Sequence, residues 1–260
     1  MKKLLAIVLM TTCSGLLASE TPQQPVKKPV KKNAFLYYTG GKIQRPDSFT
    51  GKIVFVNAQS KYSEAALAKI VNWGANNLEY NMVCEKGEPI KGWSWGYGAK
   101  ILKDHAAQLA IALVDDPTLP PLVTVPEEGW SVVNVAKLAE GLDLDEALQK
   151  KMFEARCDKE AFRAFSMIGG GFCAVKPGTA LNAATVKELD ALPNELPFDT
   201  INLYKAYLKK RGITPRVMVH YNTACREGWA PSPTNEYQKA AWERVHALPT
   251  NPLPLVKPTK

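Results

Sequence analysis

Between residues 52 and 84 a strand, an amphipathic helix and a second strand follow one another, and that order restricts the chain to folds holding a parallel strand pair. Residues 52–56 read Lys-Ile-Val-Phe-Val, a short β-branched apolar run of the kind that forms a buried strand. Ser63 is placed to cap the helix that follows through its side-chain oxygen. Leu67, Ile70, Val71, Gly74 and Leu78 then recur on one face at helical spacing. Leu78, Tyr80, Met82 and Cys84 alternate, as a second strand does. Strand, helix, strand is a crossover unit with a right-handed connection.

The later elements extend this unit. Residues 87–98 are rich in Gly and Trp and read as a loop. Residues 108–114 are the next apolar strand, ending at Asp115-Asp116-Pro117. Residues 122–125 and 130–135 read as a hairpin around 126–129. A long helix is expected over 144–168 with two apolar stripes, one of Leu148, Met152, Ala155 and Phe162, the other of Phe153, Cys157, Ala161, Ala164 and Ile168. Two stripes imply burial on more than one side. Gly169-Gly170-Gly171 stops it, since glycine tolerates a left-handed exit. Further helices are expected over 200–211, ended by Gly212, and over 235–246, where Asn235 and Gln238 suit a capping box. The fold class is α/β (α+β), a mixed twisted sheet packed on helices around a long central helix.

Four segments organise the chain. Residues 1–19 read as a signal peptide: Lys2 and Lys3, a short apolar core, then small residues for cleavage. The core is too short for a permanent span. Cys13 faintly matches a lipoprotein cleavage box, but Thr12 and Met10 fit it poorly, so Cys13 is read as lost with the signal. Residues 20–33 form a Pro/Lys-rich tether, 34–250 a single globular domain, and 251–260 an extended tail. The chain carries a net charge of +8; residues 1–33 hold six Lys and one Glu, which leaves only +3 for the rest. A nucleic-acid binder would carry its basic patch on the folded domain, so no nucleic-acid partner is expected. The tether is suited to an anionic cell surface. Cys84, Cys157, Cys173 and Cys225 remain beyond the signal, an even number that permits disulfides in an exported chain. The expected pair is Cys173–Cys225, closing a loop of roughly fifty residues and stabilising by about 4 kcal/mol. Cys84 and Cys157 are then either paired or buried thiols.

The order of strand, helix, further strands and a long helix ending in glycine looks like the metzincin metalloprotease scaffold, in particular its archaemetzincin-like branch. The segment Arg156-Cys157-Asp158-Lys159-Glu160 resembles the stretch before that family's zinc motif, and the likeness covers roughly residues 50–175. The motif is His-Glu-x-x-His-x-x-Gly-x-x-His. With its glycine at Gly170, the His, Glu, His and His positions hold Arg163, Ala164, Met167 and Cys173. The resemblance therefore implies a zinc-free member. A guanidinium repels the cation, a thioether is a poor zinc ligand, and no carboxylate stands at 164 to take a proton from water. No metal and no cofactor is expected; one tightly held zinc per chain in elemental analysis would contradict this.

Other residues could carry chemistry. Asp115 and Asp116 at a strand's C-terminal end could share a proton and activate water, as paired carboxylates do; the competing reading is a turn. His220 and Cys225 could form a thiolate site beside Arg226, against the disulfide reading. Trp93, Trp95 and Tyr97 alternate between glycines and offer a stacking platform if exposed, or a core closure if buried. Together they predict a cleft holding Trp93 or Trp95 with Asp115 or Asp116, and Arg163 paired to one of the acids. The functional expectation is an exported peptidase-like protein that recognises or processes an extracellular protein or glycoprotein without zinc. An active carboxylate-type peptidase and a non-catalytic envelope or binding protein are the alternatives.

Overall fold

The structure is a computed structural model and describes residues 33–90, 92–170, 182–193 and 198–247. The elements, in order, are α1 (Ala34–Thr39), β1 (Lys42–Gln44), β2 (Ile53–Ala58), α2 (Glu64–Leu78), β3 (Met82–Lys86), α3 (Trp95–Asp104), β4 (Leu109–Val114), β5 (Leu122–Val125), β6 (Trp130–Asn134), α4 (Val135–Leu138), α5 (Ala147–Ile168), α6 (Val186–Ala191), α7 (Phe198–Lys210), β7 (Met218–His220), α8 (Tyr221–Glu227) and α9 (Glu236–His246). The segments read as signal, most of the tether, and tail lie outside the described residues. No helix among the described residues is long and apolar enough to cross a membrane.

A five-stranded sheet of order β3-β2-β4-β6-β5 carries the molecule. Its first four strands are parallel, and β5 closes one edge antiparallel to β6, with Leu122 opposite Val133 and Val125 opposite Trp130. β2, β4 and β6 are buried throughout, so both faces are covered. Ile53, Phe55, Leu109, Ile111 and Leu113 share one core with α2 and α5. Val54, Val56, Ala110, Ala112 and Trp130 share another with Ile101 of α3. β1 and β7 form a separate two-stranded ribbon, and α1, α8 and α9 pack together beside it. The mixed α/β layout expected from the sequence is the observed one.

Local chemistry places most boundaries. The Ser63 hydroxyl accepts from the Ala66 N–H at 3.1 Å and starts α2. Asn235 accepts from the Gln238 N–H at 2.9 Å, but Gln238 turns to the Thr234 N–H and hydroxyl, so only half a capping box forms. α5 exits left-handed at Gly170, φ 108°, one residue past its cap.

Three expectations are corrected. The second strand begins at Met82, because α2 runs on through Leu78 and reverses at Glu79 (φ 60°). The 87–98 loop ends in helix: Trp95 and Tyr97 belong to α3, and Gly98 is there because a Cβ would overlap the buried Trp130 indole. On α5 one stripe is core throughout, and of the other only Phe162 is buried. Phe153, Cys157, Ala161, Ala164 and Ile168 are buried, each large one contributing about 1.5–3 kcal/mol. Leu148, Met152 and Ala155 face solvent.

Candidate functional site

A cleft of about 230 Å³ lies between the edge strand β5, the second half of α5 and the start of α6. Each wall is fastened separately. Arg211, just past α7, donates to the Pro126 and Glu127 carbonyls, and the Tyr207 hydroxyl donates to Pro126 at 2.9 Å, which ties down the turn of the β5–β6 hairpin. α6 is tied to α5 by Arg156, whose Nε and Nη2 grip the Asp190 carboxylate at 2.9 and 2.7 Å while Nη1 donates to the Leu138 carbonyl at 2.9 Å. Lys159 adds a bond to the Leu189 carbonyl at 2.8 Å.

The rim strand is open. The Asn134 N–H donates to the Pro121 carbonyl at 2.9 Å, which marks a hydrogen-bonded rung of the β5–β6 ladder. Rungs alternate in an antiparallel pair, so the backbone groups of Leu122 and Thr124 point away from β6, toward the free edge. Both residues line the cleft.

The floor holds one ion pair. Arg163 Nη1 donates to the two Glu160 carboxylate oxygens at 3.1 and 3.4 Å. The Glu160 side chain is only 1% exposed and that of Arg163 20%. Burial pushes the Glu160 carboxyl above its usual range, and Arg163 opposes part of that shift. Arg163 Nε is buried without a partner, and Nη2 makes no hydrogen bond among the described residues. The guanidinium is thus half engaged and keeps donors for a further acceptor at the cleft floor.

A metzincin-type zinc does not fit these residues. Arg163 and Met167 line the cleft where imidazoles would be needed, and its lining carboxylate, Glu160, is bound to a cation. Among the described residues no group of three or more His, Cys, Asp or Glu side chains could hold a metal. Cys173, at the third ligand position, lies outside the described residues.

The expected Trp–Asp–Arg cleft divides. Trp93 and Asp116 do meet: Asp116 Oδ2 accepts from the Trp93 N–H at 2.9 Å, and Oδ1 accepts from the Thr118 N–H at 2.9 Å and hydroxyl at 2.7 Å. The Thr118 hydroxyl, then the Trp93 and Thr118 amides, hold this carboxyl below its usual range. Asp116 is 4% exposed and its acceptors are used, so it fastens a turn. Asp115 instead pairs with Lys61 at 2.9 Å. The two carboxylates engage separate partners, and neither makes an ion pair with Arg163, whose partner is Glu160. Trp95 is 66% exposed and packs edge-on to Trp130 at 5.4 Å, while Trp93 contacts both Tyr97 and Trp130. These aromatics form a surface cluster apart from the Arg163 cleft lining.

The thiols stay free. Cys84, Cys157 and Cys225 are unbridged; Cys225 is the described half of the expected pair, and its partner Cys173 lies outside the described residues. Burial pushes the Cys225 thiol up, the reverse of what a thiolate nucleophile needs. No motif in the sequence marks Glu160 or the edge strand; the one local signal is an acid and a base three apart on a helix.

No family model matches the chain, and no curated protein matches it. Solved structures do. It is similar to an archaemetzincin from Methanopyrus kandleri at 16% identity and TM-score 0.46, over 64% of this chain and 98% of that one. A zinc-dependent peptidase from Methanocorpusculum labreanum aligns at 11% identity and TM-score 0.45, over 59% of this chain and 100% of that one. An archaemetzincin from Archaeoglobus fulgidus, complexed with malonate, aligns at 10% and 0.41, over 58% and 98%. The resemblance in layout expected from the element order is present; at these values it assigns no residue a role.

Proposed function

We propose that the chain is an exported peptidase-like binding protein, and that the cleft between β5 and α5 takes an extended segment of a protein or glycoprotein partner without cleaving it. The observation that carries this is the half-engaged Arg163 beneath an open strand edge. Outward backbone groups at Leu122 and Thr124 can add a strand by main-chain hydrogen bonds, and the free donors of Arg163 suit a carboxylate on that strand. Binding is favoured over processing because Glu160 is held by Arg163 and Asp116 by three donors, which leaves neither poised as a base. Export rests on Lys2, Lys3 and the short apolar run behind them.

The test is fluorescence polarisation of labelled extended peptides, acidic and neutral, against the full chain. Saturable binding of acidic peptides, lost on Arg163→Glu and on N-methylation of alternate peptide amides, is the expected result. Absence of saturable binding, or steady release of new peptide N-termini that persists in Arg163→Glu, would overturn it.

A further inference from the structure

A second hollow, about 490 Å³, lies where the end of α2, the middle of α7 and the residues leading into β7 meet. Its inner lining is apolar: Leu78, the Tyr80 and Tyr204 side chains and Pro215, continued outward by Met218, which is 42% exposed. Lys42, Lys205 and Arg216 stand around it against a single acid, Glu79. Among the described residues none of the three cations forms an ion pair. Arg216 lies over the Phe49 ring at 4.4 Å, a contact that positions a guanidinium without neutralising it.

A hollow of about 560 Å³ beside α3 is lined by Lys86 and Lys100 against Glu88 and Asp104, with Lys100 paired to Asp104. That hollow is electrically self-sufficient; the one by α7 is left with a positive excess. Tyr80 adds a second oddity. It is 3% exposed, and its hydroxyl has no hydrogen-bond partner among the described residues. Buried phenols nearly always find one, and burial pushes Tyr80 up to about 12, so it stays a neutral donor lacking an acceptor.

We propose that this hollow binds a small amphiphilic carboxylate. An apolar body rests on Leu78 and the tyrosine rings, and the carboxylate lies between Lys205 and Arg216. Hollows of this size, mostly apolar with a few convergent polar groups, are the usual form of small-molecule sites, and two cations of one sign select an anion over its neutral analogue. The site shares no residue with the Arg163 cleft and does not depend on it.

The experiment is calorimetric titration of the full chain with octanoate, octanol and octylammonium. Octanoate is expected to bind once per chain, octanol at least about tenfold more weakly, and octylammonium not detectably. Lys205→Glu combined with Arg216→Glu is expected to weaken octanoate at least about tenfold in a chain that still melts cooperatively, because both side chains are exposed and only the Arg216–Phe49 contact is given up. Lys100→Glu, in the hollow beside α3, leaves octanoate affinity as it was. Equal affinity for octanol, no saturable octanoate binding, or weakening by Lys100→Glu in place of the double reversal would each overturn the proposal.

Discussion

Arg156 and Arg163 stand about two turns apart on the same helix, both largely out of water, and their surroundings could hardly differ more. Arg156 grips Asp190 through Nε and Nη2 and a backbone carbonyl through Nη1. Arg163 reaches one carboxylate through Nη1 and leaves Nε buried, with no partner among the described residues. The Arg156 guanidinium is therefore satisfied, and that of Arg163 is not. A guanidinium whose donors are met holds structure together. One with donors left over carries a penalty that natural folds rarely keep without use.

That contrast is broken most easily at Arg156. Arg156→Ala strips the partner from Asp190 and from the Leu138 carbonyl and releases α6 from α5. The expected loss is about 3 kcal/mol in equilibrium urea unfolding, as for other largely buried pairs with one member removed. Arg163→Leu should cost less, about 2 kcal/mol, since only one bonded contact is lost while Glu160 is left buried. The double variant Glu160→Leu with Arg163→Leu should recover most of that, because a buried pair replaced whole by apolar side chains is often neutral. If Arg163→Leu proves as damaging as Arg156→Ala, Arg163 is a structural fastener and the contrast fails.

Acidity sharpens the same point. Glu160 titrates above its ordinary value of 4.5 because burial disfavours its charge. The folded state then holds the proton more tightly than the unfolded one. This contribution to stability is present at acid pH and is lost as pH rises past 4.5 through the folded value. Asp158, also raised by burial although the Tyr62 hydroxyl bonds it, acts in the same sense. Asp116, lowered, acts in the opposite sense, its contribution being lost as pH falls. The difference between wild type and Glu160→Gln isolates Glu160: the variant should show a flatter decline of stability above pH 4.5, and Arg163→Leu a steeper one. Superimposable urea midpoints for wild type and Glu160→Gln across that range would refute the assignment.

The backbone plan was readable because it rests on periodicity. The β2 run, the face of α2 and the Phe153–Ile168 stripe of α5 each carry one dominant spacing, and local caps such as Ser63 agree with it. α3 was hidden because Gly96 and Gly98 imitate a loop, while the need for Gly98 comes from Trp130, thirty-two positions later. Leu148 and Met152 misled in the opposite way, being apolar at helical spacing yet exposed. The site was only partly legible. Trp93 and Asp116 do lie together, but through a backbone amide that no sequence pattern announces. The sequence points to Arg163, as a replaced ligand and as a partner for Asp115 or Asp116, but not to its buried partner Glu160 three residues earlier. Whether a donor is satisfied depends on partners distant in sequence, and composition carries no record of that.

The smallest expected effect separates binding at α5 from carboxylate chemistry at the end of β4. Asp115 meets Lys61 at 2.9 Å with side chains 32% and 41% exposed, so solvent screens the pair. Asp115→Asn should change stability by about 0.5 kcal/mol or less, the range of exposed ion pairs. Asp116→Asn disturbs more, since an amide cannot serve all three donors from Trp93 and Thr118 as acceptor-only oxygens do. Neither change touches Arg163, Leu122 or Thr124. Acidic-peptide affinity in Asp115→Asn should therefore match wild type in the same polarisation assay. A marked loss of affinity there, with stability intact, would move the site from the floor of the α5 cleft to the aromatic cluster around Trp93 and Trp95.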